Sequence, residues 1–207
     1  MTATRAALLE RRSRIRLAQR GRDLLQDKRK ELLRAFREVA ESALVASERL
    51  GRTAAEARES LRLAEALEGP DVVWSAGWAS NDEVAVTAKV RSIMGVRVPV
   101  IEHEDVGRPL TERGYALATS GPRTDGVARR YEAVIDVLLE LASTELRLRR
   151  LGEEIGKTTR RANALAHVVL PTLRDEARAI GLKLQERERE ATFALRRVKA
   201  HRDRRVT

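Results

Sequence analysis

Two long stretches almost free of helix breakers flank a short segment that holds most of them, and this layout restricts the fold more than any other feature of the chain. Residues 4–68 contain no proline and two glycines, Gly21 and Gly51; residues 127–205 contain one proline, Pro171. Four of the five prolines and seven of the twelve glycines fall in residues 69–126. Proline and glycine are the strongest punctuation of regular structure. The layout therefore reads as an N-terminal helix over 1–68, an irregular centre over 69–126 and a C-terminal helix over 127–207. A chain of this kind folds back on itself. The expectation is an all-α-dominated fold: a long antiparallel two-helix coiled coil with a small β-hairpin in its central segment, and Met1 and Thr207 near one tip.

The first stretch has a seven-residue rhythm. With position a at Leu8, the a and d series run to Ala64 and Leu67, and thirteen of their eighteen residues are apolar, enough for one continuous seam against a partner helix. One helix over residues 5–68 is ~96 Å long at 1.5 Å per residue. Gly69-Pro70 is its expected stop. In the second stretch the seam is read as Tyr131, Val134, Leu138, Leu141, Leu148, Ile155, Ala162, Val169 and Leu173. Beyond these it shifts by one residue, to Ala177, Ile180, Leu184, Ala191, Leu195 and Val198. The shift sits beside Pro171, which cannot donate to the helix ladder and crowds the preceding turn. A bend near Pro171 is therefore expected.

The centre changes period. Val84, Val86, Ala88 and Val90 alternate with polar or small residues, as in a half-buried strand. Val96 to Ile101 reads as its partner, with Pro99 confining that strand to an edge. The pair forms a hairpin over about residues 84–101, placed at the far end of the rod. Residues 102–126 read as loop with a short helix.

Composition narrows the function. Only six aromatic residues occur in 207, and Ala, Leu, Glu and Arg dominate, a mark of long helices rather than of a large globular core. The chain has no cysteine, hence no disulfide framework or thiolate metal site. No apolar run reaches the ~20 residues of a membrane span, and no apolar stretch precedes the charges that begin at Arg5, so no signal peptide is expected. The net charge of +10 is concentrated at the ends: residues 1–34 carry eleven Lys/Arg against four Asp/Glu, and residues 190–207 six against two. Folding back would bring these basic ends together, as suits an acidic partner, an anionic surface or nucleic acid.

Candidate chemistry is sparse. Gly152 to Thr158 resembles a phosphate-binding loop but is one residue short, and a helix-periodic segment precedes it where a strand is required. His103 among Glu102, Glu104 and Asp105 reads as a hydrophilic loop rather than a metal site, with His167 and His201 distant in sequence. No catalytic residues, cofactor or metal are assigned. A basic-zipper nucleic-acid reader would carry its basic region ahead of a parallel seam; here Arg22 and Arg29 lie on the seam itself. A basic coiled-coil nucleic-acid-binding or scaffold protein is kept as the alternative function.

Three blocks carry a family resemblance. Leu17 to Arg29, which includes Gly21, Arg22, Lys28 and Arg29, is similar to a stretch of the form LA-x-(R/K)-G-x-x-LL-x-DKR. Ile93 to Pro99, with Met94, Gly95 and Pro99, is similar to MGV-x-(V/I)-P. Lys157 to Leu165, with Arg160, Arg161 and Asn163, followed by Leu170-Pro171, Gln185 to Glu190 and Lys199, is similar to KT-x-RRVNALE, IP, EERERE and K-x-VK. Together, in this order, the blocks resemble the D subunit of the V-type and A-type rotary ATPases. Ala162 and Ala166 depart from the pattern, and residues 71–82 and 102–126 have no match. The resemblance implies a non-catalytic central-stalk rotor subunit that transmits torque between the ion-translocating membrane rotor and the catalytic A and B subunits of the head. It also implies partners in the F subunit and the C (or d) subunit, and a peripheral place on the cytoplasmic side of the membrane. Gly21, Arg22, Lys28, Arg29, Met94, Gly95, Pro99, Arg160, Arg161, Asn163 and Pro171 are the candidate partner-contact or shaft-geometry residues. The coupled ion, H⁺ or Na⁺, and the working direction belong to other subunits.

Overall fold

The computed structural model describes residues 4–79, 84–115 and 121–206, with side chains through residue 199. Met1 and Thr207, expected at one tip, lie outside the described residues. Among the described residues four α-helices and one hairpin are formed: α1 (Arg5–Glu68), α2 (Pro70–Ala79), β1 (Val86–Ile93), β2 (Val96–His103), α3 (Pro122–Ala164) and α4 (Leu170–Val206). A 3-10 turn covers Leu110–Glu112, and a π-helical turn, Leu165–Val169, joins α3 to α4. The fold is all-α-dominated, an antiparallel two-helix coiled coil with a two-stranded hairpin. It divides into two compact units, Met1–Lys30 with Gly156–Thr207, and Glu31–Ile155.

In the first unit Arg5 pairs with Glu188 at 2.6 Å and Arg11 with Glu176 at 2.8 Å, so the chain directions are opposed. The residues from Arg189 to Lys199, beyond the partner of Arg5 at Glu188, are exposed. Ala191, Leu195 and Val198, read as seam from their spacing, are accordingly exposed.

The seam of α3 and α4 also passes through the π turn. Thr158, Ala162, Leu170 and Ile180 are buried. Leu170 is 1% exposed, whereas Val169, the expected seam residue, is 37% exposed. A π turn places one extra residue in the helix, so the seam advances from Ala162 to Leu170 instead of to Val169. The one-residue shift is thus absorbed at 165–169, ahead of Pro171. The Leu170 amide donates to the Leu165 carbonyl, five residues back.

In the second unit α1 and α3 are also antiparallel: Arg49 pairs with Glu140, and Arg130 donates to the Glu56 carbonyl at 3.4 Å. The residues of α1 buried along its length are Leu32, Val39, Ala46, Ala57 and Ala64, every one an a or d position. On α3 the buried line is Val137, Ser143, Thr144 and Leu151, with Leu148 and Ile155 packed beside it. Leu138 is exposed, because the neighbouring Val137 occupies the inward position.

The hairpin does not cap an end of the helix pair. Val96 and Val98 are buried with Leu32 and Val39 of α1 and Leu151 of α3, and Phe36, Ile93 and Ile155 pack around them. A two-stranded hairpin has no core of its own, so β2 lies along the apolar groove between the helices. The end where α1 leads to α3 is instead closed by α2, whose Val73 packs with Ala64 and Val127. Gly69 (φ 89) ends α1; Pro70 then opens α2, with Asp71 in its first turn, both favoured at a helix start. In residues 104–115 the buried Arg113 joins loop to helix. It pairs with Asp125 and, at 2.7 Å, with Glu132, both on α3, and donates to the Arg108 carbonyl at 3.1 Å.

Candidate functional site

Eight of the eleven candidate residues lie in the first unit. Gly21, Arg22, Lys28 and Arg29 are on α1; Arg160, Arg161 and Asn163 are on the last turns of α3; Pro171 is in the first turn of α4. Gly21 is brought against the π turn: a methyl group at its Cα would lie 3.8 Å from Leu165 Cδ1, an ordinary van der Waals separation. A small residue here lets α1 run close to the point where the opposite helix widens. Arg22 turns along its own helix and donates to Asp23 at 2.9 and 2.6 Å; Lys28 is half-buried and Arg29 exposed. Arg160, Arg161, Asn163, His167, Val168 and Pro171 are all exposed. One outer face around the π turn therefore carries two guanidinium groups, an amide and a valine.

Met94, Gly95 and Pro99 belong to the hairpin in the second unit. Ile93 pairs with Val96, leaving Met94 (φ 51) and Gly95 (φ 77) as a two-residue loop with both central φ angles positive. That is the type I′ geometry, whose twist matches the strands it joins. Glycine adopts it without cost, and methionine does so at roughly 1–2 kcal/mol. Pro99 faces Val90 in the register.

Three features escaped the reading of the sequence. The first is α2 and its exposed tryptophans, Trp74 (64%) and Trp78 (80%), four residues apart and hence on one face. Gly69-Pro70-Asp71, a helix stop followed by a helix start, was the signal for this helix. The second is the Arg113 cluster, where burial raises the Tyr115 pKa, Arg113 opposes the rise and Asp125 adds to it. The third is the Glu68 carboxylate, which accepts bonds from the Arg123 amide at 2.9 Å and from the Thr124 amide at 3.1 Å and hydroxyl at 2.6 Å. No periodicity points to either of these, since each joins residues far apart in sequence.

Residues 152–158 lie inside α3, where backbone amides are consumed by the helix and cannot cradle a phosphate. His103 Nδ1 lies 2.9 Å from the Glu104 carbonyl and 3.5 Å from Asp136. Among the described residues no three His, Cys, Asp or Glu side chains are grouped to hold a metal ion. A largely apolar cavity of about 370 Å³ lies beside Val73, Val106, Val127 and Tyr131, at whose edge Arg113 and Glu132 are already paired. No described helix is long and apolar enough to cross a membrane.

The model of the family described as the ATP synthase D subunit matches residues 7–200. The chain belongs to the ATP synthase D-subunit family. The A-type ATP synthase D subunit of Pyrococcus furiosus is 38% identical over 197 residues, covering 95% of this chain and 92% of the relative. The V-type ATP synthase D subunit of Deinococcus deserti is 37% identical over 200 residues, covering 97% and 88%. That of Thermus thermophilus is 39% identical over 207 residues, covering 96% and 87%. For a member of the D-subunit family, the two groups of candidate residues, one around the π turn and one on the hairpin, are surfaces on which to look for neighbouring subunits.

Proposed function

We propose that this D subunit is the non-catalytic central-stalk rotor of an A/V-type ATP synthase. It transmits torque between the ion-translocating membrane rotor and the catalytic A and B subunits, during ATP synthesis or ATP-driven ion pumping. The observation that carries the reading is the family match over residues 7–200 on a chain built as paired antiparallel helices. Torque needs a stiff element, and two long helices zipped along a seam resist bending and twisting better than one. Alanines at buried seam positions, Ala46, Ala57 and Ala64, allow the helix backbones to approach closely.

In this reading the basic chain ends enter the A/B head, and the surface around Arg160, Arg161, Asn163 and Pro171 contacts the F subunit or the rim of the head. The Trp74–Trp78 face of α2 docks on the C (or d) subunit. Exposed tryptophans support such a site, because they are enriched among the residues that dominate binding energy. The complex works on the cytoplasmic side of the membrane, with this chain peripheral. It carries no active site, nucleotide or metal of its own; its asymmetry drives the sites around it. Co-purification of the tagged chain with A, B, F and C (or d) subunits, followed by single-molecule rotation with a bead fixed to this chain, tests the reading. Rotation in step with ATP hydrolysis is expected. A chain that elutes without those subunits, or a bead that stays still while the head hydrolyses ATP, would refute it.

A further inference from the structure

The apolar alternation of β1 is turned away from the core. Register places Val86, Ala88, Val90 and Ser92 on the same sheet face as Arg97, Pro99 and Ile101, and places Ile93 with the buried Val96 and Val98 on the other. β2 thus supplies the side chains that pack on the helices, and β1 overhangs them. Val86 is 47% and Val90 66% exposed, and the rest of β1 up to Ser92 is exposed too.

Hydrogen bonding gives the second observation. In a two-residue hairpin the residues closing the loop, Ile93 and Val96, exchange backbone bonds, and bonded pairs then alternate. Arg91, Lys89 and Thr87 therefore bond to β2, whereas the amides of Ser92, Val90, Ala88 and Val86 point outward. Two facts agree with this phase. Pro99, which has no amide hydrogen, stands opposite Val90, and the Ile101 amide turns away from β1 to donate to Ser143 Oγ of α3 at 3.1 Å. The outer edge of β2 is thus occupied by α3. Among the described residues no strand pairs with the outer edge of β1. Soluble proteins seldom leave an edge strand both apolar and unpaired.

Charge selects the occupant. The hairpin carries Lys89, Arg91 and Arg97 against Glu102. A second copy adding its own β1 edge to edge would set these cations against their counterparts, and like charges across a strand pair are destabilising. We propose that the outer edge of β1 receives an extended segment of a neighbouring subunit of the ATP synthase, with apolar and acidic residues in alternation. This rests on the assembly reading above. The segment extends the sheet through the Val86, Ala88, Val90 and Ser92 amides, sets its apolar residues beside Val86 and Val90, and sets its carboxylates near Arg91 and Lys89 on the other face.

Single-residue hydrogen exchange on the purified whole complex and on the isolated chain tests the proposal. In the complex the amides of 86, 88, 90 and 92 should exchange at least about tenfold more slowly than in the isolated chain, with smaller changes at 87, 89 and 91. Val90→Pro removes an outward donor and leaves the bonds to β2 intact. The isolated variant should keep the wild-type melting temperature and exchange at 87, 89 and 91, and lose the added protection in the complex. Arg91→Glu should reduce that protection without altering the isolated hairpin. Unchanged exchange at the four outward amides, uniform slowing of all seven, or the alternating pattern in the isolated chain at high concentration, which would indicate a second copy, each overturns strand addition. Failure of the wild-type chain to co-purify with its neighbours overturns the assembly reading and this proposal together, whereas normal co-purification with unprotected amides overturns only this one.

Discussion

The last residue of α1, Glu68, caps the first turn of α3 by accepting from both the amide and the hydroxyl of Thr124. The carboxylate faces the electropositive start of one helix from the end of another, so a single side chain closes the turn-around of the pair. A methyl group on Gly121 would run into this carboxylate. Glu68→Ala should destabilise the chain by about 1 kcal/mol, as lost helix caps do, read as a shift in the urea midpoint, and Gly121→Ala should destabilise it as well.

The same contact carries a pH dependence. Burial acts to raise the Glu68 pKa, and the bonds from Thr124 and Arg123 outweigh it, leaving the group below its ordinary 4.5. A depressed carboxyl pKa contributes stability that is fully present above the unfolded-state value and is lost as pH falls through the folded-state value. Urea midpoints should therefore fall below pH 4.5 by a larger amount in the wild type than in Glu68→Gln. Equal acid sensitivity in both would remove Glu68 from the account.

The π turn is tested by two neighbouring residues. Leu170 is buried and Val169 largely outside the seam. Leu170→Ala should cost ~2–5 kcal/mol, as for a buried leucine, and Val169→Ala roughly 0.5 kcal/mol or less, as for a surface change. An uninterrupted α-helix would reverse the order.

Pro171 sits just after that turn. Pro171→Ala restores an amide donor, so the isolated chain should be as helical and as stable as the wild type or slightly more so, since proline in a helix interior costs up to ~3 kcal/mol. In the reassembled complex, ATP hydrolysis should continue while ion pumping weakens, if curvature at this point makes the shaft asymmetric. Unchanged pumping per ATP would show that the proline is incidental to coupling.

Trp74 and Trp78 are expected to matter only in the assembly. Being exposed, both can be changed to Ala with a melting temperature within a degree or two of the wild type, about what a surface change allows. Recovery of the C (or d) subunit on the tagged chain should drop at least about tenfold, the loss of one binding hot spot. Full recovery would move the docking surface elsewhere.

The basic ends provide the contrast with a nucleic-acid binder. Duplex DNA should be retained weakly and released by physiological salt, because a charge-only contact loses affinity steeply as salt rises. Sequence-dependent retention at that salt would favour the alternative function.

The sequence by itself determined the helical architecture. Its heptads held every residue of α1 that became buried, because a helix repeats its facing side every seven residues whatever it packs on. Breaker residues likewise determined where the chain turns, through Gly69-Pro70 and Met94-Gly95, since these are local properties of φ. The one-residue slip of the second seam was legible too, but not its place: whether Val169 or Leu170 turns inward depends on where the extra residue is taken up. Only the tertiary structure decided which face of the hairpin is covered. Both strands alternate apolar and polar residues, and alternation alone cannot say which strand lies over the helix groove; Val96 and Val98 found Leu32 and Leu151 there, and Val86 and Val90 were left outside. Only tertiary structure joined Glu68 to Thr124 and Arg113 to Asp125 and Glu132. Those bonds close contacts between residues that no local pattern relates.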